Sequence, residues 1–149
     1  MERRRLNLAR RRPLRWAVLI FDFDPVQGHE QSGERRGLVV SYEPLHAGGM
    51  LAVCPITAAR SEPARPGEVR IPVGEGGQTR PGLILCHQLR TLTVLRAKAM
   101  IENGTPVGYV TDPEIRADVR EALAVHLALD IPGTEDGASR DDQFGPGTF

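Results

Sequence analysis

Phe21-Asp22-Phe23-Asp24-Pro25-Val26-Gln27-Gly28-His29-Glu30-Gln31-Ser32-Gly33-Glu34-Arg35-Arg36-Gly37-Leu38-Val39-Val40-Ser41 joins two apolar runs through a charged loop. The runs, Trp16 to Phe23 and Gly37 to Tyr42, are rich in Val, Leu, Ile and Phe and predict two strands. The stretch between them carries His29, several carboxylates, the Gln31 amide and the Arg35-Arg36 pair. Burying such a loop would leave polar groups without partners, so it belongs at the surface. An imidazole, a carboxylate and two guanidiniums together can move protons and hold a phosphate.

Outward from this stretch the pattern stays β. Gly48-Gly49 reads as the turn into a third strand at Met50 to Cys54. Glu68 to Pro72 reads as a short edge strand, where a proline is tolerated. Leu83 to Cys86 and Thr91 to Ala99 complete the set. Arg60 to Gly67 and Gly74 to Arg80 read as flexible connectors with exposed arginines. Short strands between Gly/Pro loops predict a small antiparallel sheet or barrel.

A helix comes last. Asp112 is a good N-cap and Pro113 suits the first helical position. Ile115, Val119, Ala122, Leu123 and His126 then form one stripe at helical spacing, which makes His126 a packed histidine, and Pro132-Gly133 stops the helix. The fold class is therefore mainly β with a C-terminal α-helix.

The 149 residues suffice for one domain between two dissimilar ends: an Arg-rich flexible arm over 1–15, the domain over 16–130, and a disordered acidic tail over 131–149. Net charge is zero, yet seven arginines against Glu2 give the arm +6 and leave the remainder at −6. Such an arm reads as a nucleic-acid tether or as a plain leader. Trp16 to Phe23 is too short for a signal peptide and ends in Asp-Phe-Asp-Pro. No run approaches the roughly 18 apolar residues of a membrane span, so a cytoplasmic protein without membrane contact is expected. Cys54 and Cys86 each close an apolar run and read as core thiols in neighbouring strands. Neither has a second Cys or His at ligand spacing, so no metal and no cofactor are expected.

Three segments put polar groups at strand ends. They are the Gly28-to-Arg36 loop, the run Cys54-Pro55-Ile56-Thr57, and the run Cys86-His87-Gln88-Leu89-Arg90-Thr91. The strand is expected to break at Pro55 and expose Thr57, and His87 to face away from Cys86 on a strand. Strand ends in an antiparallel sheet converge on one rim. Arginine matches phosphate oxygens with a planar fork and stabilises the charge of a phosphorane, a threonine hydroxyl donates to the same oxygens, and histidines exchange protons near neutral pH. These parts suffice for metal-free RNA transesterification; the plain alternative is a set of solvated loops.

The run FDFDPVQGHEQSGERRGLVVS, followed in order by AVCPIT, TRPGLILCHQLRTL and RAKAMI, resembles the MazF/PemK family of toxin endoribonucleases over about Trp16 to Leu129. The resemblance implies an SH3-like β-barrel of MazF/CcdB type, a homodimer, cleavage of single-stranded mRNA without a metal, and a cognate antitoxin threaded through the RNA groove. It also implies roles. Arg35 and Thr57 would act on the scissile phosphate, while His29, Glu30 and Gln31 match a loop flanking the RNA path. By their own chemistry, and not by the resemblance, His29 and His87 are the candidate acid and base, and Arg36, Arg80 and Gln88 join Glu30 and Gln31 as candidate RNA-binding residues.

The chain also departs from the family pattern. Arg36 stands where the family usually has proline, and His87 where it commonly has aspartate. Ala58-Ala59 follow Thr57 where polar residues are frequent. These departures define the alternative, a toxin-fold protein that binds RNA, an antitoxin or, in the manner of a gyrase poison, a protein target without cleavage.

Overall fold

A computed structural model describes residues 12–24, 28, 33–97 and 106–129. Among these residues seven strands form one curled antiparallel sheet: β1 Ala17–Asp22, β2 Glu34–Val39, β3 Met50–Ala58, β4 Glu68–Ile71, β5 Gly82–Leu85, β6 Arg90–Thr93 and β7 Gly108–Tyr109. Their order is β4-β5-β3-β2-β1-β7, with β6 beside the start of β3. One α-helix, α1 Pro113–His126, follows among the described residues. Its Asp112 side chain accepts the Glu114 N–H at 2.8 Å, the capping bond read from the sequence.

The apolar runs are continuous because the sheet is covered on both faces. On one face Trp16, Val18, Leu38, Cys54, Ile56 and Ile84 pack with Ile115 and Val119 of α1. On the other, Leu19, Phe21, Phe23, Val39, Leu51, Val53 and Leu92 form a second cluster. Each such fully buried side chain contributes about 1.5–3 kcal/mol. Both thiols are buried and free, Cys54 in β3 and Cys86 just beyond β5.

The segment leaving β4 crosses from one sheet edge to the other. A Cβ on Gly77 would lie 2.4 Å from the Val107 carbonyl oxygen, and one on Gly108 would lie 2.3 Å from the Gly77 nitrogen. Only glycines allow that backbone-to-backbone contact, which ties the strap to β7 and curls the sheet.

Several expectations change. β2 begins at Glu34, so Arg35 and Arg36 lie in a strand and not in the loop. β3 does not break at Pro55. Ala52 turns its N–H and C=O toward Ser41 and Val40, so by alternation Pro55 points the other way. There β3 pairs β6 up to Val53 and β5 from Ile56, and the missing N–H falls in the gap. The strand expected to reach Ala99 ends at Thr93 and passes into a 3₁₀ turn at Val94–Arg96. His126 is exposed, because the buried stripe of α1 is confined to Ile115 and Val119.

The core also begins earlier than Trp16. Leu14 is 4% exposed, and its N–H and that of Arg15 donate to the Glu43 carboxylate at 2.8–3.0 Å. Glu43 Oε2 lies 3.1 Å from His46 Nδ1, while His46 Nε2 lies 2.6 Å from Ser41 Oγ. That oxygen in turn accepts the Ala52 N–H at 3.0 Å. The relay clips the chain ahead of β1 to the 3₁₀ turn Glu43–Gly48 and to β3.

Candidate functional site

β2 and β3 run antiparallel with Gly37 opposite Pro55. Continuing that register brings Arg35 level with Thr57, where β3 has already moved on to β5. Arg35, Arg36, Thr57, Gln78 and Arg80 line a hollow of about 300 Å³, together with Glu34. Three guanidiniums against one carboxylate give it a positive field suited to a phosphate chain.

Side chains alternate along β2, so Arg36 shares the Leu38 face and Arg35 the opposite one; at the strand end both reach the hollow. Arg36 is fixed from below. Its Nη1 donates to Gln78 Oε1 at 3.1 Å, and Gln78 Nε2 donates to the Arg80 carbonyl at 3.3 Å. Gln78 is 8% exposed and joins β2 to the segment carrying Arg80. Arg35 stands exposed at the mouth.

A second hollow of about 350 Å³ opens on the other side of Thr57. Arg60, Arg65, Glu68, His87 and Gln88 line it. Arg60 Nη2 donates to Glu68 Oε1 at 2.8 Å, and the Arg65 N–H donates to the same oxygen at 3.0 Å. The Arg60 hydrogen bond, helped by Arg65, holds the covered Glu68 carboxyl below the usual range. The connector read as flexible is thus tied by charge across its prolines.

His87 lies in a 3₁₀ turn, Cys86–Gln88, and not on a strand. The Cys86 N–H donates to the Gly67 carbonyl at 2.8 Å, which seats the turn against the start of β4. The ring is exposed and faces two ways. One side meets the Thr57 hollow; the other lines a groove of about 710 Å³ against α1, with Asp118, Glu121 and His126.

Of the residues singled out in the sequence, Arg35, Arg36 and Arg80 therefore share one hollow, His87 and Gln88 share the next, and Thr57 belongs to both. His29, Glu30 and Gln31 lie outside the described residues. Arg90 and Arg96 donate to the Phe23 and Asp22 carbonyls at 2.8 and 3.4 Å, pinning the chain as it leaves β1. Sequence reading missed the roles of Glu68 and Gln78. Glu68 sits in a strand whose pattern shows only alternation, and nothing local marks Gln78 as a buried tie.

The PemK-like, MazF-like toxin of type II toxin-antitoxin system matches this chain over residues 14–127. No curated protein is matched. Among solved structures, MazF from Deinococcus radiodurans is similar with a TM-score of 0.61 and 24% identity, covering 78% of this chain and 97% of that one. A MazE-MazF structure from the same organism gives 0.58 and 22%, covering 79% and 97%. An endoribonuclease from a mycobacterial species gives 0.58 and 21%, covering 80% and 95%. At these identities the likeness is one of fold.

Proposed function

Because this chain belongs to the PemK-like, MazF-like toxin family of type II toxin-antitoxin systems, we propose that it cuts single-stranded RNA without a metal. The observation that carries this reading is Thr57 on the ridge between an arginine-lined hollow and one holding an exposed histidine. A phosphodiester laid over that ridge would meet Arg35 and the Thr57 hydroxyl on one side and His87 on the other.

The chemistry balances with these parts. A base takes the proton of the ribose 2′-hydroxyl, and the 2′-oxygen attacks phosphorus. Arg35 and Thr57 stabilise the added charge of the phosphorane. The bond to the 5′-oxygen breaks, and an acid supplies that oxygen with a proton. The products are a 2′,3′-cyclic phosphate and a 5′-hydroxyl. We assign His87 to one proton transfer and His29 to the other. Imidazole serves near neutral pH where the family's carboxylate would serve below it. Arg36, Arg80 and Gln88, with Glu30 and Gln31, hold the flanking nucleotides.

The mycobacterial structure named an endoribonuclease supports the activity, and the MazE-MazF structures support a cognate antitoxin as partner. A homodimer acting on mRNA in the cytoplasm completes the reading. Exposed Tyr42, Leu45 and Met50 offer apolar surface for such pairing. No helix among the described residues is long and apolar enough to cross a membrane.

The test is cleavage of a single-stranded RNA by Arg35→Ala and Thr57→Ala. Loss of one stabilising donor costs about 10²–10³ in rate, so Arg35→Ala falls by at least that much with an unchanged circular dichroism spectrum. Wild-type cleavage by Arg35→Ala would remove Arg35 from the mechanism.

A further inference from the structure

Trp16, the single tryptophan of the chain, is ringed by guanidiniums. The Cζ atoms of Arg15, Arg116 and Arg120 lie 5.3, 5.3 and 5.2 Å from its ring centroid. Arg15 precedes it in sequence, while Arg116 and Arg120 stand one turn apart on α1, a spacing at which like charges repel. None of the three forms an ion pair with a carboxylate among the described residues. Arg116 and Arg120 share their side of α1 with Ala117 and Ala124, while Asp118 and Glu121 line the groove against β4. Glu75 feels the charge of Arg116, but its oxygens accept the Thr111 N–H and O–H at 2.7 and 2.8 Å.

The cluster has donors to spare. Arg15 Nε is buried and has no hydrogen-bond partner among the described residues. Arg116 uses Nε on the Val110 carbonyl at 2.8 Å, and its terminal nitrogens form no ion pair among the described residues. Trp16 itself holds φ at 69°, in the left-handed region that bulky residues rarely adopt. The ring is 5% exposed, so it cannot stack on a base and serves instead as a platform under the three charges. Three guanidiniums gathered on one ring, with no carboxylate in ion-pair contact among the described residues, suit a phosphate group.

The cluster stands at the far end of β2 from the arginine-lined hollow. The Trp16 N–H bonds to the Val39 carbonyl, three residues beyond Arg36, or about 10 Å at strand rise. A single strand of RNA held at the hollow reaches it within a few nucleotides. We propose that Arg15, Arg116 and Arg120, mounted on Trp16, form a second phosphate site that grips the RNA backbone outside the cleaving hollow. The inference rests on RNA being the ligand of this chain.

Trp16 is its own reporter. Its emission is followed while a uridine oligonucleotide methylated at every 2′-oxygen, and so uncleavable, is titrated at several salt concentrations. The proteins are wild type, Arg120→Gln, Arg116→Gln with Arg120→Gln, and Arg120→Lys. The oligonucleotide shifts Trp16 emission in wild type. The salt slope of log Kd falls by about 0.7 in Arg120→Gln and about 1.4 in the double variant. Arg120→Lys keeps the wild-type slope, which a merely structural arginine would not require. Inorganic phosphate at matched ionic strength produces no shift at the oligonucleotide's concentrations; a shift with phosphate alone would make this a free-anion site and overturn the RNA assignment. Unchanged slopes with binding intact overturn the second site and leave the hollow's role standing. Failure of wild type to bind the oligonucleotide overturns both.

Discussion

A Cβ on Gly67 would lie 2.9 Å from both Cβ and Nδ1 of His87. Gly67 holds φ at +85°, and its carbonyl accepts the Cys86 N–H. The turn ahead of β4 is thus the seat of the histidine. Gly67→Ala costs about 1–2 kcal/mol for a side chain in the left-handed region and displaces His87 from its place in the hollow beside Thr57. Chemical denaturation reads the first effect, and initial rates of RNA cleavage read the second. The rate falls toward that of His87→Asn; a wild-type rate in Gly67→Ala would mean that the seat does not matter to the chemistry.

Gln78 is the corresponding support on the arginine side. Gln78→Ala removes two side-chain hydrogen bonds, to Arg36 and to the Arg80 carbonyl, each contributing about 1 kcal/mol. The midpoint of unfolding falls accordingly. A freed Arg36 guanidinium grips RNA less well, so KM rises more than kcat changes. A variant with normal KM would show that Arg36 needs no fixing.

Two carboxylates tie stability to pH. Arg60 hydrogen bonding lowers Glu68 below its usual range. Burial pushes Glu75 upward, but the Thr111 and Asp112 donors and the Arg116 charge outweigh it and leave the group lowered. A carboxyl depressed in the folded state contributes stability above its unfolded value, about 4.3, and loses it as pH falls through the folded value. Melting temperature is therefore flat from neutral pH down to about 5 and declines below about 4. The decline is shallower in Glu75→Gln, measured by thermal melts across that range.

The thiols should be silent in the folded protein. The neighbouring Cys86 thiol, followed by burial, pushes Cys54 far above the ordinary thiol range, and only thiolate reacts. A disulfide reagent at pH about 8, near an ordinary thiol pKa, labels neither Cys54 nor Cys86 until denaturant is added. Rapid labelling of the native protein would contradict the packing of β3 against the turn after β5.

The sequence carried the parts of the fold that rest on local signals. Asp112 and Pro113 announce α1, and the apolar run before Asp22 announces β1. The convergence of Thr57 with Arg35 follows from antiparallel pairing alone. Other features depend on distant neighbours. Pro55 stays in β3 only because the strand changes partner there, and β2 starts at Glu34 because its charged end projects beyond the covered sheet. His87 leaves the strand because Cys86 bonds to Gly67, twenty residues or so upstream. Ion pairs such as Arg60–Glu68 have no periodic signature at all.

The most direct measurement is incubation of purified protein with a long single-stranded RNA in EDTA, followed by analysis of the fragment ends. The account predicts fragments ending in 2′,3′-cyclic phosphate and 5′-hydroxyl, produced by wild type and lost in Arg35→Ala. No cleavage at any pH near neutrality by folded protein, or cleavage that requires an added divalent ion, would contradict it.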